Sequence, residues 1–185
     1  MIGLRCLVLN ADYSPISLIP FHHIPVEDAV TRVFNQTCHV VESYNKKILS
    51  PSVKMNWPSV IARNEQLKKK DIIRLRRESL FYRDHGLCSY CEEPITISGL
   101  TYDHVVPRRH GGTSDWTNIV CACSRCNSLK GDKLPVGDWK PRQLPYRPTY
   151  YELLGIRRKF PVVVDDKTWI PFLGEWKAPV LIKGG

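Results

Sequence analysis

An α+β fold follows from three features of the sequence. Short strand-like runs flank an amphipathic helix in the first sixty residues, two Cys-x-x-Cys pairs bracket the middle of the chain, and a proline-rich stretch comes after them. Residues 4–9 (Leu-Arg-Cys-Leu-Val-Leu) read as a buried strand, and Pro15 to Phe21 as a second one after the polar turn Asn10-Ala11-Asp12. From Val26 the apolar residues Val26, Ala29, Val30, Val33 and Phe34 fall on one face of a helix, with Pro25 at its start and Glu27 and Asp28 in its first turn. Cys38 to Tyr44 reads as a further strand. This small α+β N-terminal module has little core of its own, so it is expected to pack on the rest of the chain.

Residues 78–85 read as a short helix leading into the first cysteine pair. Pro135, Pro141, Pro145 and Pro148 make 135–148 an extended connection, and the aromatic residues Trp169, Phe172 and Trp176 are expected to pack against the body. Three divisions result: 1–77 with a basic linker, 78–134 as the chemical core, and 135–185 as an irregular C-terminal tail.

The net charge of +9, from 27 Lys and Arg against 18 Asp and Glu, favours a polyanionic partner such as DNA. Seven residues of the run Arg63–Arg77 are basic: Arg63, Lys68, Lys69, Lys70, Arg74, Arg76 and Arg77. Such a run is either a solvated linker or a phosphate-contacting arm. No apolar stretch reaches the roughly 18–20 residues of a membrane span. The N-terminus lacks the pattern of a secretory signal, so a cytoplasmic setting is expected.

Seven cysteines are too odd a set for a disulfide framework without other signs of secretion. Cys88-Ser-Tyr-Cys91 and Cys123-Ser-Arg-Cys126 instead supply the four thiolates that a structural Zn²⁺ takes in a tetrahedron. A redox Cys-x-x-Cys occurs once, not twice. Cys121 alternates with Cys123 along a strand-like stretch and is assigned to packing, as are Cys6 and Cys38.

The 31 residues from 92 to 122 exceed the gap of a compact zinc ribbon. They carry Asp103-His104-Val105-Val106-Pro107, Arg108-Arg109-His110-Gly111-Gly112 and Asp115-Trp116-Thr117-Asn118, with Asn127 and Lys130 beyond the second pair. From about Phe81 to Lys133 the chain resembles the HNH endonucleases, zinc knuckles and motif occurring in that family's order. The opening Leu-Val-Leu-Asn-Ala-Asp-Tyr-Ser-Pro is similar to the leader of some bacterial and phage members.

The resemblance implies a ββα-metal (His-Me finger) core and Mg²⁺- or Mn²⁺-dependent hydrolysis of DNA phosphodiesters. It makes His104 the general base, Asp103 and Asn127 ligands of the catalytic cation, and Asn118 the residue that fixes the His-bearing loop. Chemistry agrees on two points. An ordinary imidazole is mostly neutral at cellular pH, and carboxylate and amide oxygens suit Mg²⁺ or Mn²⁺. In a regular strand, however, Asp103 and His104 point to opposite faces, so one site can use both only at a strand end.

Arg108, Arg109 and Lys130 are candidate phosphate contacts, and His110 is either a loop residue or a further metal ligand. A zinc-dependent nucleic-acid-binding module without cleavage is the rival reading.

Overall fold

The computed structural model describes residues 3–19, 21–50, 53–67 and 73–183. In chain order its elements are β1 (Arg5–Leu9), β2 (His23–Pro25), α1 (Val26–Phe34), β3 (Cys38–Ser50), β4 (Val53–Arg63), α2 (Arg77–Arg83), β5 (Thr101–His104), β6 (Ile119–Ala122), α3 (Ser124–Lys130), α4 (Tyr150–Arg157), β7 (Val162–Val164) and β8 (Val180–Ile182). They fall into two compact units: residues 1–69 with 158–185, and residues 70–157. No helix among the described residues is long and apolar enough to cross a membrane.

The first unit is a four-stranded sheet in the order β2-β1-β4-β3. β1 pairs antiparallel with β2 and parallel with β4, and β3 and β4 form a long antiparallel hairpin. Helix α1 begins at Val26 and buries Val26 and Ala29 with Cys6, Val8, Ile24, Cys38 and Ile61, while Phe34, its last residue, is exposed. Burial pushes the Cys6 thiol up to about 12, as expected of an inert core thiol.

Among the described residues of Pro15–Phe21 no strand forms, only isolated bridges; the sheet takes His23–Pro25 instead. Local side-chain bonding explains the shift. Asp12 Oδ1 accepts from Ser14 N at 3.0 Å, Ser17 Oγ accepts from Ile19 N at 3.1 Å, and Tyr13 adopts a left-handed φ of 58°. Strand β4 carries Pro58, which a central strand tolerates only at an irregularity. The β3–β4 register does shift around Ser43↔Pro58, and pairing with β1 starts beyond it at Val60.

The C-terminal segment is not an irregular tail. Residues 150–157 form α4, which packs within the second unit with Arg157 over the Tyr82 ring, 4.8 Å from its centroid. From Arg158 onward the chain belongs to the first unit. Trp169 there is 1% exposed, donates to Ser59 O at 2.8 Å and stacks near Phe21 and His23.

The second unit holds α2, the β5–β6 hairpin, α3 and α4. β5 and β6 pair antiparallel with Asp103 opposite Val120 and His104 opposite Ile119, and α3 follows one residue after β6. The expected basic arm lies partly outside the described residues at 68–72. Within it Arg77 is structural, donating to Ile97 O at 3.2 Å and to Leu100 O.

Candidate metal centre and active site

The four cysteines of the two pairs come together. Cys88 is delivered by the turn that ends α2, where His85 and Gly86 take left-handed φ values of 57° and 71°. Cys123 caps the N-terminus of α3, its sulfur accepting from Cys126 N at 3.4 Å, and Cys88 Sγ accepts from Cys123 N at 3.4 Å. All four sulfurs lie within 4.8 Å of one another, and Cys91 Sγ and Cys123 Sγ are 4.0 Å apart. A Zn²⁺ with ~2.3 Å bonds asks for sulfur–sulfur edges of about 3.8 Å. The donor set therefore fits zinc. Burial and the neighbouring thiols hold Cys126 well above the usual thiol range, a cost that a cation at this point removes. Cys121 is buried outside the cluster.

The second constellation starts on β5. Asp103 is 3% exposed, as alternation along the strand dictates, and His104 is half-buried. The strand ends at His104, and both residues line one open cavity of about 290 Å³ with Asn127, Arg108, Arg109 and Asp132.

His104 Nε2 lies 2.8 Å from Ser114 Oγ. Partial burial lowers the imidazole pKa, Arg108 and Lys130 add to that effect, and Asp103 opposes it, so the ring is biased towards its neutral form. Asn127 donates to Thr101 Oγ1 at 2.9 Å, which leaves its amide oxygen as the atom to offer a cation. Asn118, in the turn just before β6, is 7% exposed and ties down the loop after β5. Its Oδ1 accepts from Val106 N at 2.8 Å, and its Nδ2 donates to Val106 O at 3.0 Å and Thr113 O at 2.8 Å.

With this geometry in place, comparison with known proteins adds two matches. Residues 88–133 match the family described as HNH endonuclease, and residues 6–66 match the HNH endonuclease-associated N-terminal domain. This chain carries an HNH endonuclease domain. A stretch of 58 residues is also 43% identical to the CRISPR-associated endonuclease Cas9 of Corynebacterium diphtheriae. That stretch is 31% of this chain and 5% of the Cas9 protein, so the likeness concerns a small part of that relative.

Within the HNH domain one expected role is overturned. Lys130 does not present its ammonium to a phosphate: its side chain is fully buried, with Nζ 3.0 Å from Asp103 Oδ2 and 2.7 Å from His104 O. Helix α3 points it inward because a buried carboxylate needs a cation beside it. Arg108 and Arg109 do stand exposed on a short 3-10 turn, Arg109 paired with Asp132 and donating to His110 Nε2 at 3.1 Å.

Several residues carry weight in the HNH domain that sequence reasoning missed. Tyr90 donates to Asp103 Oδ2 at 2.5 Å, and burial followed by that carboxylate keeps its hydroxyl protonated. Gly112 passes so close to Val106 that a Cβ there would meet Val106 O at 1.7 Å and Asn118 Nδ2 at 2.8 Å. Arg83, 1% exposed, places all five of its N–H groups. It pairs with Asp84 through Nε and one terminal nitrogen, and reaches Trp116 O, Tyr146 O and Ile119 O. Asp84 in turn accepts from Cys121 N at 2.7 Å, so this pair knits α2 to β6. The Gly-Gly dipeptide was the one available signal for the close approach at 112; nothing in the sequence marks Arg83.

Proposed function

We propose that the HNH domain hydrolyses DNA phosphodiester bonds in a reaction that depends on a divalent cation. The observation that carries this is the convergence of His104, Asp103 and Asn127 on one open cavity beside exposed arginines. In this reading β5, β6 and α3 form a ββα-metal core, and Zn²⁺ at Cys88, Cys91, Cys123 and Cys126 is structural.

His104, biased towards the neutral imidazole, takes the proton of the attacking water, and Ser114 holds the ring. Asp103 and Asn127 offer one carboxylate and one amide oxygen, a hard donor set suited to Mg²⁺ or Mn²⁺. Such a cation supplies charge neutralisation on the phosphate and on the departing oxygen. Asn118 holds the loop from Val106 to Thr113, and with it the approach to His104. Arg108 and Arg109 face the phosphate backbone, with sequence-independent affinity that weakens as salt rises.

The test is nicking or linearisation of a supercoiled plasmid in Mg²⁺ or Mn²⁺, comparing the natural chain with His104→Ala at matched zinc content. Cleavage by the natural chain alone supports the reading. Equal cleavage by both removes His104 from the chemistry. DNA binding without cleavage by either would return the protein to the rival class of binding modules.

A further inference from the structure

We infer that Tyr90 is a positioning residue that couples the four-cysteine site to the cation position at Asp103. The inference rests on the proposed role of Asp103 as a ligand and deepens it.

Asp103 has two side-chain donors, and both are carried by elements that the cysteines anchor. Tyr90 lies inside the first knuckle, between Cys88 and Cys91, and its hydroxyl donates to Asp103 Oδ2 at 2.5 Å. Lys130 lies on α3, the helix that Cys123 caps and on which Cys126 sits, and it touches both carboxylate oxygens. Each donor thus lies next to a cysteine of the cluster or on the helix that carries one.

Tyr90 has little freedom to absorb a change in the knuckle. It is 7% exposed and its ring meets Trp139 edge-on, with centroids 6.1 Å apart. The segment behind it is clasped from outside, Arg142 N donating to Ser89 O at 2.9 Å. The path of the chain from Cys88 to Cys91 therefore sets where the hydroxyl points, and that path is fixed when both sulfurs share one metal.

Hydrogen-bond partners of a ligating carboxylate orient it, and losing one typically weakens metal binding by about 10–100-fold. A hydroxyl that merely satisfies a buried carboxylate would have no such effect. Because coupling is reciprocal, a cation at Asp103 must also be felt at the cysteines.

The experiment uses the zinc-loaded full chain and Tyr90→Phe, which keeps the ring against Trp139. Zinc content is measured alongside direct Mn²⁺ titration by electron paramagnetic resonance. Equal zinc with Mn²⁺ binding weakened by about 10-fold or more, and cleavage restored at high Mn²⁺, is the expected result. Equal zinc and equal Mn²⁺ affinity overturn the inference while leaving the proposed function standing. Failure of the natural chain to bind Mn²⁺ overturns both.

A second measurement needs no variant. With Co²⁺ in the four-cysteine site of the natural chain, adding Mg²⁺ shifts the cobalt–thiolate absorption if the two sites are coupled. An unchanged spectrum at saturating Mg²⁺ overturns the coupling even if Tyr90→Phe does not fold.

Discussion

The ammonium of Lys130 lies 3.1 Å from Oδ1 and 3.0 Å from Oδ2 of Asp103, with both side chains withdrawn from solvent. Burying one charge without the other is what such a pair prevents. Lys130→Met should cost about 3–5 kcal/mol, the usual result of stranding a buried partner. Urea denaturation of the zinc-loaded protein measures it. A loss below about 1 kcal/mol, the scale of an exposed pair, together with weakened DNA binding, would instead restore Lys130 as a surface phosphate contact.

Neighbouring glycines should fail for different reasons. Gly112→Ala drives a methyl into Val106 O and Asn118 Nδ2. Overpacking of this kind costs about 1–3 kcal/mol, and here it also pushes the loop away from His104. Gly111 has φ of +85° but nothing within 4 Å of its would-be Cβ. Its alanine variant bears backbone strain alone, of about 1 kcal/mol. Stability and cleavage should both rank natural chain, Gly111→Ala, Gly112→Ala. The reverse order of the two variants would show that the close approach at 112 relaxes freely.

Removal of zinc should unfold the unit spanning residues 70–157 rather than silence an otherwise folded site. A hairpin and short helices bury little surface, so the metal supplies folding free energy. Far-UV circular dichroism before and after chelation reads the change, and an unaltered spectrum would argue against a structural role. Cys126→Ser should lower zinc content. Cys121→Ser should not, because Cys121 stands outside the four-sulfur cluster.

Arg109 is an exposed side chain paired with an equally exposed Asp132. Such pairs contribute little to stability, so Arg109→Ala should leave the melting temperature nearly unchanged. In the proposed reading it weakens DNA binding evenly across sequences and reduces the salt slope by about 1. Asp132→Ala should strengthen binding, since it releases the arginine. Unchanged DNA affinity in both variants would take Arg109 out of the interface.

Stability of the first unit should fall as pH drops below about 6.5, the pKa of an ordinary histidine. Burial lowers the His23 pKa, with Arg5 and Lys183 adding and Asp165 opposing, and His22 is lowered by burial and by Arg32. The unfolded chain binds protons that the folded one resists, so stability is complete above the unfolded pKa and is lost below it. Among the described residues, buried His23 Nδ1 has no hydrogen-bond partner. Denaturation midpoints of His23→Phe across this range should show a shallower slope than the natural chain; an equal slope would assign the effect elsewhere.

What the sequence made legible was chemistry with a fixed spacing. Two Cys-x-x-Cys units at the spacing of a four-sulfur site do bring their sulfurs within 4.8 Å of one another, and the helix at Val26 begins where its proline and acidic first turn place it. The site's outline was readable for the same reason: His104, Asn118 and Asn127 stand in a recognisable order. What stayed hidden depends on partners far along the chain. Lys130 looks like any helical lysine until Asp103 folds beneath it, and Arg83 until Trp116, Ile119 and Tyr146 supply its acceptors. Strand β4 was masked by Pro58, whose irregularity is absorbed only where β3 shifts register. The segment after Arg157 gave no sign that it returns to the first unit, because a tryptophan's destination is not written in its neighbours.

That return bears on the order in which the chain is assembled. The unit that carries the HNH domain runs continuously from 70 to 157. The first unit does not: Trp169 fills its place beside Ser59 across a separation of 110 residues. During synthesis the earliest strands must therefore wait, incompletely covered, until a whole neighbouring unit has been made. A stalled or shortened product ending near Arg157 would hold the whole of the second unit and an unfinished first one.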